Sequence, residues 1–241
     1  MNKIWLITSR ELGVYLRSLS GYVIVAVVLA LDGLLFQGFA LGGGERLSSE
    51  VINNFFYFSA GTTMIASVLL SMRLIAEERH DDTLVLLYTA PISEWHIVLG
   101  KWLSAFIFVA FLLLLTLYMP LMVAVHGSLQ WGHVLAGYTG LLLLGAACTA
   151  LGTLASSLTR SQVVAAVLGG GLVVGMLITW LVARVVDPPF NDLLAYLALF
   201  DKHFTPFQKG AINTRSVVHF LSVTFFALFL TQKVLSARRW R

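Results

Sequence analysis

Between Lys101 and Arg160 the chain runs for 58 residues without an Asp, Glu, Lys or Arg. About 20 apolar residues cross a bilayer core as a helix, so this one run holds two crossings and a turn between them. His126-Gly127-Ser128 and Gln130-Trp131-Gly132-His133 supply the turn. Other charge-poor runs extend the pattern: Ser18–Gly44 contains one charge, Asp32, while Val51–Met72, Ser161–Ala183 and Ser216–Gln232 contain none. The predicted spans are about 20–41, 53–75, 102–125, 133–157, 162–185 and 216–235. The last run has 17 uncharged residues, which at about 1.5 Å each just cross. The runs are continuous rather than alternating, which excludes a barrel. The expected fold is all-α: one polytopic membrane domain, residues 1–241, with six transmembrane helices.

Composition agrees. Hydrophobic residues make up 58% of the chain and charged ones 12%, about half the usual charged share. A water-facing surface cannot be tiled with so few charges. A soluble enzyme, a nucleic-acid-binding domain and a disulfide-built module are therefore excluded. The lone Cys148 lies inside an apolar run. The formal charge of +4 matters through its placement. With six spans, the termini and the even-numbered loops share a side that holds eleven of the sixteen Lys and Arg residues, against five opposite. This bias puts both termini in the cytoplasm, with anionic lipid headgroups as the partner of the basic residues and no nucleic acid.

Arg10, Glu11 and Arg17 interrupt any signal-peptide core, and no cleavage site follows the first span. Lys3, Arg10 and Arg17 recur every seven residues along one helical face, with Trp5, Leu12, Leu16 and Leu19 on another. The spacing predicts an interfacial helix over 1–19, or else a plain extension of the first span.

Few residues suggest covalent chemistry. Asp32 sits mid-span, where a carboxyl is costly. It can be a proton relay or substrate contact, or a carboxyl that is protonated or paired with a polar group on a neighbouring helix. The six histidines show no i, i+4 pair and no H-E-x-x-H, so no metal site is expected. Glu77-Glu78-Arg79 invites comparison with intramembrane metalloproteases of the CAAX type, but Asp82 stands where that pattern wants an arginine. No phosphate-binding G-x-x-x-x-G-K-[ST] occurs, so any ATP, with its Mg, is bound by another chain. Gly171 and Gly175 form a G-x-x-x-G that permits close helix packing.

The loop from Arg73 to Lys101 is the informative segment. Six acids or bases fill Glu77–Asp82, followed by a short apolar helix over Thr83–Tyr88 whose N-terminal end is favoured by Asp81 and Asp82. Pro91 ends it and Ser93 can cap the next helix. An apolar helix between charged flanks on the cytoplasmic side should dock, on a partner protein or on the bilayer surface.

Here the sequence resembles the permease subunits of ABC-2 type transporters. The resemblance rests on Glu77-Glu78-Arg79, Thr83-Leu84, Leu87, Pro91-Ile92-Ser93 and Leu99-Gly100-Lys101, placed after the second of six spans. A second set, Phe200-Asp201-Lys202-His203-Phe204, Phe207, Gly210, Asn213-Thr214-Arg215 and Arg238-Arg239-Trp240, resembles the gliding-motility GldF-like branch, with Lys202 and Asn213 as departures.

The resemblance implies a permease without enzymatic activity in a bacterial inner membrane, coupled to a separate P-loop ATPase that holds ATP and Mg. Residues 1–19 would be a connecting helix and 77–93 a coupling segment. Leu84, Leu87 and Tyr88 would bury against the ATPase, with Glu77, Glu78, Arg79, Asp81, Asp82, Thr83 and Pro91 around them. A second permease protomer, identical or related, would complete the pathway between spans one, two and five. Residues 187–215 would form an exterior gate, with Phe200, Asp201, Phe204, Pro206 and Phe207 over the pathway, open to an exterior accessory protein. The alternative for this loop is a helix resting on the outer interface. Three functions follow: an ATP-driven exporter, a non-transporting scaffold for a partner complex, and a membrane enzyme using Asp32 or the histidines. Hydrophobic or amphipathic cargo is preferred over ionic cargo because the spans carry few charges.

Overall fold

The structure is a computed structural model and describes residues 3–42, 47–83, 92–126, 130–183, 185–186, 190 and 196–239. Helix α1 covers Lys3–Arg17, and Ser18 then separates it from α2, Leu19–Leu35. The Ser18 hydroxyl accepts from the Gly21 N–H at 3.2 Å and so caps α2. A π-helical turn, Phe36–Leu41, extends α2. The chain continues with α3 (Ser48–Ser71), α4 (Ala76–His80), α5 (Glu94–Leu115), α6 (Tyr118–His126), α7 (Trp131–Leu158), α8 (Gln162–Ala183), α9 (Phe204–Gln208) and α10 (Thr214–Arg239).

Six stretches are long and apolar enough to cross a bilayer: Leu19–Leu41, Ser48–His80, Glu94–Val125, Trp131–Leu158, Gln162–Ala183 and Thr214–Ala237. The all-helical, six-span fold expected from the charge-free runs is the one observed. Ser48–His80 and Glu94–Val125 are 33 and 32 residues long. At about 1.5 Å per residue both outreach a hydrocarbon core of about 30 Å. The surplus lies partly at the α4 and α5 ends, which flank residues 84–91. The third span is broken between α5 and α6, where Pro120 has no N–H for the Thr116 carbonyl. The Met119 N–H takes that carbonyl instead, at 3.0 Å.

Helices α3 and α7 form the centre. In their most apolar windows 67% and 72% of residues are buried, against 22% for the first span and 18% for the fifth. Without a hydrophobic drive between helices in lipid, the centre is held by close backbone approach. Helix α7 supplies it with small residues. A methyl group at Gly137 would enter the Phe56 ring, and one at Gly152 would meet Ser71. A methyl at Gly169 of α8 would sit 3.4 Å from the Gly152 Cα. Gly171 and Gly175, the predicted packing pair, meet nothing within 4 Å in this chain. Their face of α8 is open, so within one chain the close contact belongs to Gly169.

Candidate functional site

Helices α4 and α5, which precede and follow residues 84–91 in the chain, meet α1, α3 and α7. Helix α1 docks on α5 at Gly100, where the Thr8 hydroxyl donates to the Gly100 carbonyl at 3.0 Å. It docks on α3 through Tyr15, whose hydroxyl donates to the Leu70 carbonyl at 2.8 Å under the Arg73 guanidinium, 4.5 Å from the ring. The docked face of α1 carries Ile7, Thr8, Glu11 and Tyr15, while Trp5, Leu6 and Leu16 stay exposed. Helix α1 is thus clamped to the bundle on one side and exposes both apolar residues and the charges of Lys3, Arg10 and Arg17 on the other.

At this crossing Lys101 is buried, with its side chain 1% exposed. Its Nζ lies 2.9 Å from Glu78 and 3.1 Å from Glu11. Arg10 reaches both glutamates at 2.7 Å. One ion-pair cluster therefore joins α1, α4 and α5. Burial alone would raise the Glu11 carboxyl, but Lys101 and Arg10 outweigh it and hold it below the usual range. The hydrogen bond to Glu11 leads the opposite shift at Arg10, whose guanidinium is raised. Burial pushes the Tyr15 hydroxyl up, which keeps it a neutral donor. Glu78 Oε2 is buried and has no hydrogen-bond partner among the described residues.

Helix α4 is also fixed to α7. The Ser156 hydroxyl accepts from the N–H groups of Ile75 and Ala76, at 3.0 and 2.9 Å, and donates to the Met72 carbonyl at 2.8 Å. Arg79 donates to the Ser157 and Thr159 carbonyls at 2.8 and 3.1 Å, covering the C-terminal end of α7. Glu78 and Arg79, expected as partner contacts, thus also hold the chain to itself. Glu77 lies 3.6 Å from Arg73, and Asp81 and Asp82 are exposed. Asp82 adopts a positive φ of 54°, turning the chain after α4, while the Thr83 hydroxyl donates to the Glu78 carbonyl at 3.3 Å. Leu84, Leu87, Tyr88 and Pro91 lie outside the described residues. A cleft of about 200 Å³ opens among Arg10, Arg73, Glu77, Glu78, Asp81 and Lys101.

At the other end, Phe204 and Phe207 of the expected gate are fully buried. A methyl at Gly140 of α7 would lie 2.5 Å from the Phe207 Cβ and 3.3 Å from the Phe204 ring. These two rings anchor α9 in the bundle. Pro206 is half-buried, and its carbonyl accepts from the N–H groups of Lys209 and Ala211. His133 Nε2 donates to the Gln208 carbonyl at 2.6 Å, tying α9 to α7 as well. His203 stacks on His219 with ring centroids 3.8 Å apart and donates from Nε2 to the Tyr196 carbonyl at 3.0 Å. Burial holds the His203 imidazole below its ordinary value. Parallel stacked rings cannot aim their nitrogens at one ion, and no cluster of three metal-ligating side chains occurs among the described residues.

Phe200 and Asp201 instead line a cavity of about 490 Å³, shared with Leu31 and Leu35 of α2, Tyr57 and Thr62 of α3, and Leu177 of α8. The walls come from the first, second and fifth spans. Asp32 stands behind Thr62, buried, with its Oδ1 accepting from the Thr62 hydroxyl at 2.7 Å and the Ser59 hydroxyl at 3.5 Å. The polar group on a neighbouring helix is therefore an α3 hydroxyl.

The sequence profile of the ABC-2 family transporter proteins matches residues 5–238, from α1 through α10. The chain belongs to that family. Among curated proteins, none matches the sequence. As an ABC-2 permease the chain is a multi-pass membrane component of a transporter, and its family works in general with ATP-binding subunits. The permease carries its charge cluster beside the loop between the second and third spans and its cavity in the opposite half. Sequence reasoning missed Glu11, Lys101 and Ser156 as parts of that cluster and its anchorage.

Proposed function

We propose that this permease is the membrane subunit of an ATP-driven exporter in a bacterial inner membrane, with both termini cytoplasmic and a separate P-loop ATPase, carrying ATP and Mg, seated on residues 77–93. The observation that carries the reading is the Glu11–Arg10–Glu78–Lys101 cluster. It makes the base of the 77–93 segment one body with the connecting helix and the third span. A push on that segment then moves α1, α4 and α5 together rather than bending a loop. The Ser156 and Arg79 bonds extend the same body to α7. Paired with a second permease protomer through its open α2 and α8 faces, each unit would rock and change the side to which the pathway opens. The gliding-motility GldF-like branch is the closer kinship suggested by Phe200-Asp201-Lys202-His203-Phe204 and the Arg238-Arg239-Trp240 tail.

The test is affinity purification of the tagged permease in mild detergent, followed by mass spectrometry and an ATPase assay. A P-loop ATPase is expected to co-purify and to be lost with Leu87→Asp, which puts a charge into the apolar stretch. Recovery of the permease with no ATPase at any detergent strength would overturn the coupling role and favour the scaffold.

A further inference from the structure

We infer that the outer face of α1 holds the headgroup of one anionic phospholipid, its phosphate lying across Gly13 between Arg10 and Arg17. The site stands without the exporter reading, and only its consequence for coupling rests on that reading. Position comes first. A single residue, Ser18, separates Arg17 from Leu19, where the first span begins, so this end of α1 lies at headgroup depth. Leu6, Arg10, Gly13 and Arg17 follow one another at steps of four, three and four residues and form one stripe along the helix. The exposed Trp5 and Leu16 lie beside it. A border between basic and apolar surface suits the plane where acyl chains give way to phosphates. A groove of about 980 Å³ follows the stripe, lined by Leu6, Ser9, Arg10, Gly13, Val14 and Arg17 among others, with no acid among its described lining residues. Gly13 leaves a notch between the two arginines, since a methyl there would meet nothing within 4 Å.

Hydrogen bonding and charge select the ligand. The bonds from Arg10 to Glu11 and Glu78 both leave from Nη2, so the hydrogens on Nε and Nη1 are unmet among the described residues, and the side chain is 55% exposed. Arg17 is exposed and meets no carboxylate among the described residues. The Ser9 hydroxyl is already committed to the Leu6 carbonyl, at 3.1 Å. The donors left for an anion are therefore the two guanidinium groups. The cluster under the groove balances, Arg10 and Lys101 against Glu11 and Glu78, which leaves the charge of Arg17. One surplus positive charge and two guanidinium groups match a phosphodiester with a single negative charge. A zwitterionic headgroup brings its own cation to the same place and gains less. An acidic protein segment would match the charge but not the depth, which the adjoining span sets.

The lipid completes the hydrogen bonding of Arg10 from outside while Glu11 and Glu78 hold it from inside. The charge cluster at the base of the 77–93 segment is thereby tied to the bilayer surface, and on the exporter reading coupling responds to the lipid charge around it.

The full permease would be held in a neutral maltoside detergent with equal amounts of phosphatidylglycerol and phosphatidylcholine of the same acyl chains, and the retained lipid read by native mass spectrometry. One phosphatidylglycerol per permease is expected, in excess over phosphatidylcholine. Arg17→Gln should cut that excess about fivefold, the equivalent of about 1 kcal/mol for one basic residue at an anionic surface. Gly13→Glu should abolish it by placing a carboxylate in the notch. The new pair with Arg17, four residues on, supports the helix, so this variant should fold. Arg160→Gln removes an exposed charge from the loop between the fourth and fifth spans, on the same side of the bundle, and should change nothing. Equal retention of the two lipids, or a loss in Arg160→Gln as large as that in Arg17→Gln, would overturn the site. Displacement of the lipid by inorganic phosphate or by a polyglutamate peptide would reassign the face to a free anion or an acidic protein and overturn it too. No ATPase takes part in this experiment. A permease that retains the lipid yet recruits no ATPase fails only the exporter reading, and one that recruits the ATPase but treats the lipids alike fails only this inference.

Discussion

Replacing Lys101 with methionine should destabilise the purified permease by about 3 kcal/mol, the low end of the loss seen when one partner of a buried ion pair is removed. Methionine keeps much of the buried stem but leaves Glu11 and Glu78, each only 13% exposed, without the cation they share. Arg10 remains, but its side chain is 55% exposed and solvent screens what it offers. That residual partner is why the low end applies. Unfolding followed by tryptophan fluorescence should show a midpoint lower by roughly 6–12 °C. The decisive comparison is the triple variant Glu11→Gln, Glu78→Gln, Lys101→Met. Neutral groups of similar volume often replace a buried ion pair with little loss, so the triple variant should recover most of the stability. A midpoint for Lys101→Met within about 1 °C of the parent, roughly a few tenths of a kcal/mol, would sink the argument. So would a triple variant as unstable as the single one.

The same cluster sets an acid limit. The Glu11 carboxyl is held below its usual range, so folding is stabilised by it above the ordinary carboxylate value of about 4.3. That contribution is lost as pH falls from there through the lowered value. The Glu11 contribution should therefore hold down to about pH 4 and be lost below it, on top of an earlier decline below about pH 6.5 from the buried, neutral His203 imidazole. Glu11→Gln should start lower and lose less over the same interval.

The six helices were legible because bilayer thickness acts on run length, and a run of 58 uncharged residues admits few solutions. The Arg73–Lys101 segment was legible as a cluster of charges for a related reason, since charges at a span end stand out against apolar flanks. Their partners were not legible. Glu78 reaches 68 positions back to Arg10 and forward to Lys101, and Arg79 reaches carbonyls at the end of α7. Local spacing carries no record of such pairings. Lys101 counted toward orientation as a flanking charge, and nothing around it marks it as buried. The resemblance put Phe204 and Phe207 in an exterior gate, and local sequence carries no sign that Gly140 in α7 provides the space in which both rings are buried. The cavity was half-visible: Asp32 stood out as a mid-span acid, but its Thr62 partner sits among several hydroxyls of α3 and only the packing selects it.

Gly100→Ala should destabilise the permease by about 1–2 kcal/mol, reversing the sign usual for a helical glycine. In an open helix the substitution gains about 1 kcal/mol from backbone entropy. Here the new methyl would lie 2.8 Å from Ile7 Cβ, 2.9 Å from Ile7 Cγ2 and 3.2 Å from the Ile4 carbonyl oxygen. Overpacking of this kind costs about 1–3 kcal/mol, and because one neighbour is backbone, α1 itself must move. The shift strains the Thr8–Gly100 hydrogen bond and the Lys101–Glu11 pair, which lie at the same crossing. Gly171→Ala is the internal control. Its methyl meets nothing in the chain, so the entropy gain stands and the unfolding midpoint should stay or rise. Ile7→Gly removes the two nearest atoms, and combined with Gly100→Ala it should cost less than the two single changes added together. If Gly100→Ala is as stable as the parent, α1 is not seated as the crossing requires. If Gly100→Ala loses stability while Gly171→Ala does not, the α1–α5 contact is closed within one chain and the α8 face is left free for something outside it. On the proposed ATPase-coupled reading, a transport loss in Gly100→Ala exceeding the loss of folded protein would place α1 in the path of the stroke, because Lys101 joins α1 to α4.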